Sequence, residues 1–153
     1  MSESVGKKAE KKIREWLEAK PDYLFYRIPD QVSGFTGTSM NPCDFFVFKC
    51  PRFFALESKA TEHDRFDFNM ITDYQYEMLM KYSKVPGVTS YVAVLFVTYK
   101  RAFLLNIKDI DALINSGTKS VNIKKIKNWS IPYKEIETIP SRKQMLDYTG
   151  ELV

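Results

Sequence analysis

The chain has 153 residues, 44% of them hydrophobic, including eleven Phe and nine Tyr, which is the size of one domain with one core and too apolar for general disorder. Its 23 basic and 19 acidic residues leave a net charge of +4, a balance that permits a nucleic-acid partner without requiring one. No apolar run approaches the roughly 18–20 residues of a membrane span, and the first twenty residues are charged rather than apolar, so neither a membrane segment nor a signal peptide is expected.

Residues 3–19 read as an amphipathic helix, with Val5, Ala9, Ile13, Trp16 and Leu17 at spacings mostly of three and four and Pro21 ending the pattern. Tyr23 to Ile28 is a short strand. Residues 29–41, bounded by Pro29 and Pro42 and holding two Gly with several Ser and Thr, form a loop; its length is of the kind usually kept for function. Asp44–Phe48 and Phe53–Ala60 are strands joined through Lys49-Cys50-Pro51-Arg52. Residues 71–84 are helical, with Ile71, Tyr74, Met78, Leu79 and Tyr82 on one face. Tyr91–Tyr99 is the most apolar stretch, a central buried strand, and Ala102–Ile107 follows it. A short helix over 108–116 stops at Gly117, and a strand is expected over Ser120–Ile126. The tail from Trp129 carries Pro132 and Pro140, with a short helix expected near Ile139–Asp147. There is no internal repeat and no linker, so a single α/β domain accounts for residues 1–153.

Cys43 and Cys50 lack CxxC spacing and read as reduced thiols of a cytoplasmic protein. The single His63 argues against a His-based zinc site or a Ser-His-Asp triad. The informative segment is Asn41-Pro42-Cys43-Asp44 followed, thirteen residues after Asp44, by Glu57-Ser58-Lys59-Ala60. Side chains alternate across a strand, so Glu57 and Lys59 share a face. If the hairpin turns at Cys50-Pro51 or over 49–52, paired residue numbers sum to 101 and Asp44 lies directly opposite Glu57. Cβ atoms so placed are about 4.5–5.5 Å apart. Two carboxylates at that separation repel, and a divalent cation with hard oxygen ligands offsets the repulsion; Mg²⁺ fits best, with Mn²⁺ as its substitute. The bland alternative is a surface salt bridge from Lys59, since Glu-x-Lys alone says almost nothing.

Pro42-x-Asp44 with Glu57-x-Lys59 resembles the PD-(D/E)xK nuclease pattern, with Cys43 inserted between the usual Pro and Asp. More narrowly, the chain resembles RecU-type Holliday-junction resolvases over roughly residues 4–150. The match is carried by the short strand and loop before Asp44, the aromatic-rich strand after it, Phe54-Ala55-Leu56-Glu57-Ser58-Lys59, the Asn69 to Gln75 segment and Ile131-Pro132-Tyr133. The resemblance implies a restriction-endonuclease-like core, a mixed β-sheet flanked by helices. It implies Asp44, Glu57 and the Ser58 backbone carbonyl as metal ligands, Lys59 as the group that holds water and stabilises phosphate charge, and Gln75 and Glu10 as further members of the site. It also implies a homodimer acting on four-way junction DNA. In that family the loop before the first Asp is a long stalk, whereas here the matching stretch, about 29–41, is short. Lys7, Lys8 and Lys11 on the first helix, Arg27, and Lys124 and Lys125 are the expected DNA contacts. Two other readings stay open: a related nuclease acting on flaps, ends or duplex, and a DNA-binding module of the same fold without catalysis. A processive exonuclease element, Gln-x-x-x-Tyr, would need Tyr where Leu79 stands.

Overall fold

The computed structural model describes residues 4–30 and 41–137. Helix α1 (Val5–Glu18) opens with Ser4, whose hydroxyl accepts the Lys7 amide, and buries Ala9, Ile13, Trp16 and Leu17. Its apolar stripe therefore does what the spacing predicted. It lies against one face of a six-stranded mixed sheet of order β1-β2-β3-β5-β6-β8. The strands are β1 (Leu24–Arg27), β2 (Phe45–Lys49), β3 (Arg52–Thr61), β5 (Val88–Phe96), β6 (Arg101–Asn106) and β8 (Lys134–Ile136). Helices α2 (Asp73–Ser83) and α3 (Ile107–Asn115) contribute Leu79 and Ile107, Ile110 and Leu113 to the core on the other face. A mixed sheet flanked by helices is the architecture expected.

Strand β3 is the axis of the sheet. It pairs antiparallel with β2 through a tight hairpin, Lys49 opposite Arg52, which is the two-residue loop at Cys50-Pro51. It pairs parallel with β5 from Phe53 to Thr61. Parallel neighbours need a long crossover, and β4 (Arg65–Asp67), a 3₁₀ turn at Phe68–Met70 and α2 supply it. With neighbours on both sides, the middle of β3 from Ala55 to Ser58 is buried.

The alternation along the hairpin sorts its side chains as expected. Phe45, Val47 and Leu56 join the core under α1, while Phe46 and Ala55 join the core under α2 and α3. Cys43 is buried and Cys50 exposed, both as free thiols.

Several boundaries differ from the sequence reading. The apolar run ends as a strand at Phe96, because Val97–Tyr99 turn and Lys100 takes a left-handed backbone, φ 53°, to reverse into β6. Only Ser120–Asn122 of the expected 120–126 strand is extended. It forms β7, which pairs with β4 in a separate two-stranded sheet. From Ile123 the chain coils into 3₁₀ turns, since the Asn122 side chain accepts the Lys124 amide and offers the backbone a local partner. Helix α2 starts at Asp73 rather than residue 71, behind a Thr72 cap. Most of the 29–41 loop and the helix expected near 139–147 lie outside the described residues. Among the described residues no helix is long and apolar enough to cross a membrane.

Phe45 is fully buried where β2 meets α1. Phe45→Ala is expected to cost about 3–5 kcal/mol in urea unfolding, whereas Leu24→Ala, at a side chain 72% exposed, should stay within about 0.5 kcal/mol of the parent.

Candidate active site

Register carries Phe45 opposite Leu56, and by simple extension Asp44 would face Glu57. It does not. The ladder ends at Phe45, and the Asp44 amide donates to the Leu56 carbonyl at 3.0 Å while its own carbonyl accepts the Ile28 amide at 2.8 Å. Asp44 is thereby turned off the ladder, and its carboxylate reaches Ser58. Oδ2 accepts the Ser58 amide at 2.8 Å and the Ser58 hydroxyl at 2.5 Å. The expected cross-strand pair is corrected to a side chain clamped on the residue between Glu57 and Lys59. Proximity of the two carboxylates survives the correction, because Asp44 is held on the amide of the residue that follows Glu57.

Glu57 is 3% exposed. Its Oε1 accepts the Gln75 side-chain amide at 2.9 Å and sits 3.2 Å from Lys59 Nζ. Gln75 is held by a capping box at the start of α2: its amide donates to the Thr72 hydroxyl, and its side-chain oxygen accepts the Thr72 amide. One side chain thus caps a helix with its oxygen and grips Glu57 with its nitrogen. Thr72 was missed in the sequence, although Thr72-x-x-Gln75 is the pattern of a capping box.

Glu10 comes into the same neighbourhood from α1, and its charge also acts on Glu57. Both of its oxygens, however, are paired with Arg27 of β1. Lys7 lies one turn before Glu10 on α1; Lys7 and Lys11 are exposed and Lys8 is half-buried. Lys124 and Lys125 are exposed on the 3₁₀ turns after β7, and Lys124 is tied to Asp64 at 2.9 Å. The fold therefore gathers Asp44, Glu57, Ser58, Lys59, Gln75, Glu10 and Arg27 around the middle of β3. It ties Lys124 instead to Asp64, in the segment that follows β3.

Burial, and then the charge of Asp44, push the Glu57 carboxyl up to about 8, against the lowering pull of Lys59. Asp44 Oδ1 and Glu57 Oε2 take no hydrogen bond from any described residue. No group of three or more His, Cys, Asp or Glu able to hold a metal exists among the described residues. Two carboxylates and a backbone carbonyl suit Mg²⁺, which keeps several waters and takes one or two carboxylates together with phosphate oxygens. The residues present fit such an ion.

Glu57 gives this site a signature without DNA. A carboxyl whose pKa rises from 4.5 to about 8 on folding holds its proton more tightly when folded. Its contribution to stability is full below the unfolded value and is lost as pH rises through about 8. In EDTA, melting temperature should fall over that window, and Glu57→Gln should flatten the fall and melt several degrees higher at pH 8. Added Mn²⁺ should stabilise the parent and leave Glu57→Gln unmoved, as read by differential scanning calorimetry.

A family model described as RecU, Recombination protein U, matches residues 36–151. A search of curated protein sequences returns no match. Among solved structures, the fold is similar to the 1.6 Å structure of Hjc from Archaeoglobus fulgidus, a Holliday junction resolvase from an archaeal hyperthermophile. That match has a TM-score of 0.52 at 17% identity, over 68% of this chain and 78% of the other. At that identity it speaks for the restriction-endonuclease-like fold.

Proposed function

The chain belongs to the Recombination protein U family, and from that premise we propose that it is a divalent-metal-dependent DNA endonuclease that resolves four-way junctions by paired nicks. The observation that carries this reading is the convergence of Asp44, Glu57 and Lys59 on one stretch of β3, with Asp44 held on the residue that follows Glu57 and Lys59 on the Glu57 carboxylate. Two carboxylates so held have a cost without a cation and a use with one.

Asp44, Glu57 and the Ser58 carbonyl would hold the ion, Mg²⁺ or Mn²⁺ in its place. When bound, the ion lowers the pKa of a coordinated water and draws charge from the phosphate. The chain's own residues do the rest. Ser58 holds Asp44 in one orientation through its amide and hydroxyl. Gln75 and Lys59 hold Glu57 by one oxygen, which leaves the other free. The Lys59 ammonium, fixed by the strand and by Glu57, is a preorganised positive charge for the negative charge that grows on the phosphate. In-line attack would leave a 5′-phosphate and a 3′-hydroxyl.

The described residues of one chain offer one such site, and a junction has two strands to cut symmetrically. A homodimer with two-fold symmetry, acting in the cytoplasm, meets that need. Lys7, Lys8 and Lys11, with Lys124 and Lys125, would contact phosphates away from the cut.

Matched junction, flap and plain duplex substrates, with Mg²⁺ and with EDTA, test the proposal. Paired nicks across the branch point in Mg²⁺ and none in EDTA are expected, from a protein that light scattering sizes as a dimer. Preferential cutting of flaps or ends would move the substrate to a related nuclease with the same residues. Asp44→Asn should reduce cleavage to background and leave junction binding within a few fold; persistent cleavage would remove Asp44 from the site. Junction affinity should fall steeply with salt as counterions are released from the phosphates.

A further inference from the structure

Next to the carboxylate pair stands an ion pair that the cleavage scheme does not use. Arg27 donates Nε to Glu10 Oε2 at 3.2 Å and Nη2 to Oε1 at 2.9 Å. A guanidinium edge matched to both oxygens of a carboxylate fixes the orientation of both groups. The pair is largely buried, at 19% and 26% side-chain exposure. The guanidinium lies over the Phe45 ring at 5.9 Å, and the charge of Asp44 acts on Arg27.

The second edge of the guanidinium is differently occupied. Nη2 also reaches Asp30 at 3.1 Å, a carboxylate 86% exposed, and Nη1 is buried with no hydrogen-bond partner among the described residues. An exposed ion pair is weak. A buried donor left without a partner is uncommon and calls for an explanation. One edge is therefore held firmly by Glu10, while the other has a weak partner and a spare donor.

As a metal ligand, Glu10 would have to give up Arg27, and no three-group metal cluster is assembled among the described residues. We propose that Glu10 is a positioning residue acting through Arg27 rather than a ligand of the metal: it aims the Nη1–Nη2 edge at a phosphate of the DNA strand, which displaces Asp30. This rests on the nuclease reading above, but its central claim can be tested without cleavage.

Two measurements decide it. Mn²⁺ titration of the DNA-free protein, followed by electron paramagnetic resonance, compares Glu10→Gln with Asp44→Asn. Fluorescence anisotropy of a labelled junction in EDTA compares Glu10→Ala, Arg27→Ala, the double variant and Asp30→Asn, with circular dichroism to confirm folding. Glu10→Gln should keep Mn²⁺ affinity within about twofold of the parent, while Asp44→Asn loses it. Glu10→Ala and Arg27→Ala should each weaken junction binding several-fold, and the double variant should be no worse than Arg27→Ala alone, because the two act as a unit. Asp30→Asn should bind at least as tightly as the parent. Arg27→Lys, which keeps the charge and loses the fork, should fail to restore binding. A loss of Mn²⁺ binding in Glu10→Gln to match Asp44→Asn overturns the proposal, as do additive losses in the double variant or unchanged junction binding in Glu10→Ala. The Mn²⁺ comparison needs no DNA, so it decides the role of Glu10 even if the parent protein cuts no junction.

Discussion

Strand β3 runs for ten residues while its antiparallel partner β2 runs for five, and the site is built on that difference in length. Alternate residues of a strand present their backbone groups to the same neighbour. The Leu56 carbonyl faces the β2 side, where it accepts the Asp44 amide, and so the Ser58 amide faces that side too, one step past the last pair. An amide left open in a buried stretch must find an acceptor, and the Asp44 carboxylate is the acceptor it finds. The backbone therefore holds one negative charge against the residue that follows Glu57. No side-chain rotation can relieve that repulsion without leaving the amide unpaired.

Everything around the pair answers this constraint from a different element. Lys59 comes from the same strand two residues on, Gln75 from the first turn of α2, and Arg27 from β1 with Glu10 from α1. The parallel crossover matters here because it brings the first turn of α2 back to β3, where Gln75 reaches Glu57 with the Thr72 capping box fixing it. Burial raises the stakes for each contact, since charges interact more strongly away from water. Burial first, and then the charge of Asp44, outweigh the lowering pull of Lys59, and Glu57 stays well above the ordinary carboxylate range.

The Arg27–Glu10 pair shows how the same constraint reaches outward. Arg27 sits one residue before Ile28, whose amide is bonded to the Asp44 carbonyl. A strand that positions Asp44 through its backbone thus also carries the guanidinium that neighbours it. The Asp44 carboxylate and the Arg27 guanidinium are in this way carried on neighbouring segments of one edge of the sheet.

Much of this was legible in the sequence. Glu57 and Lys59 two apart on a strand must share a face, and a short turn at Cys50-Pro51 fixes which residues of the hairpin pair. The stripe of Ala9, Ile13, Trp16 and Leu17 fixed the buried side of α1. These features follow from local periodicity, which each segment carries by itself. The tertiary structure decided what periodicity does not encode. It turned Asp44 off the ladder onto Ser58, because the neighbouring strand ends there. It joined Arg27 to Glu10 seventeen residues away, and it tied Lys124, a basic residue expected to meet DNA, to Asp64. It also broke the expected 120–126 strand after Asn122, where a local cap was available and a longer partner strand was not. A sequence states which way each side chain points along its own element; which charges meet depends on where other elements stop.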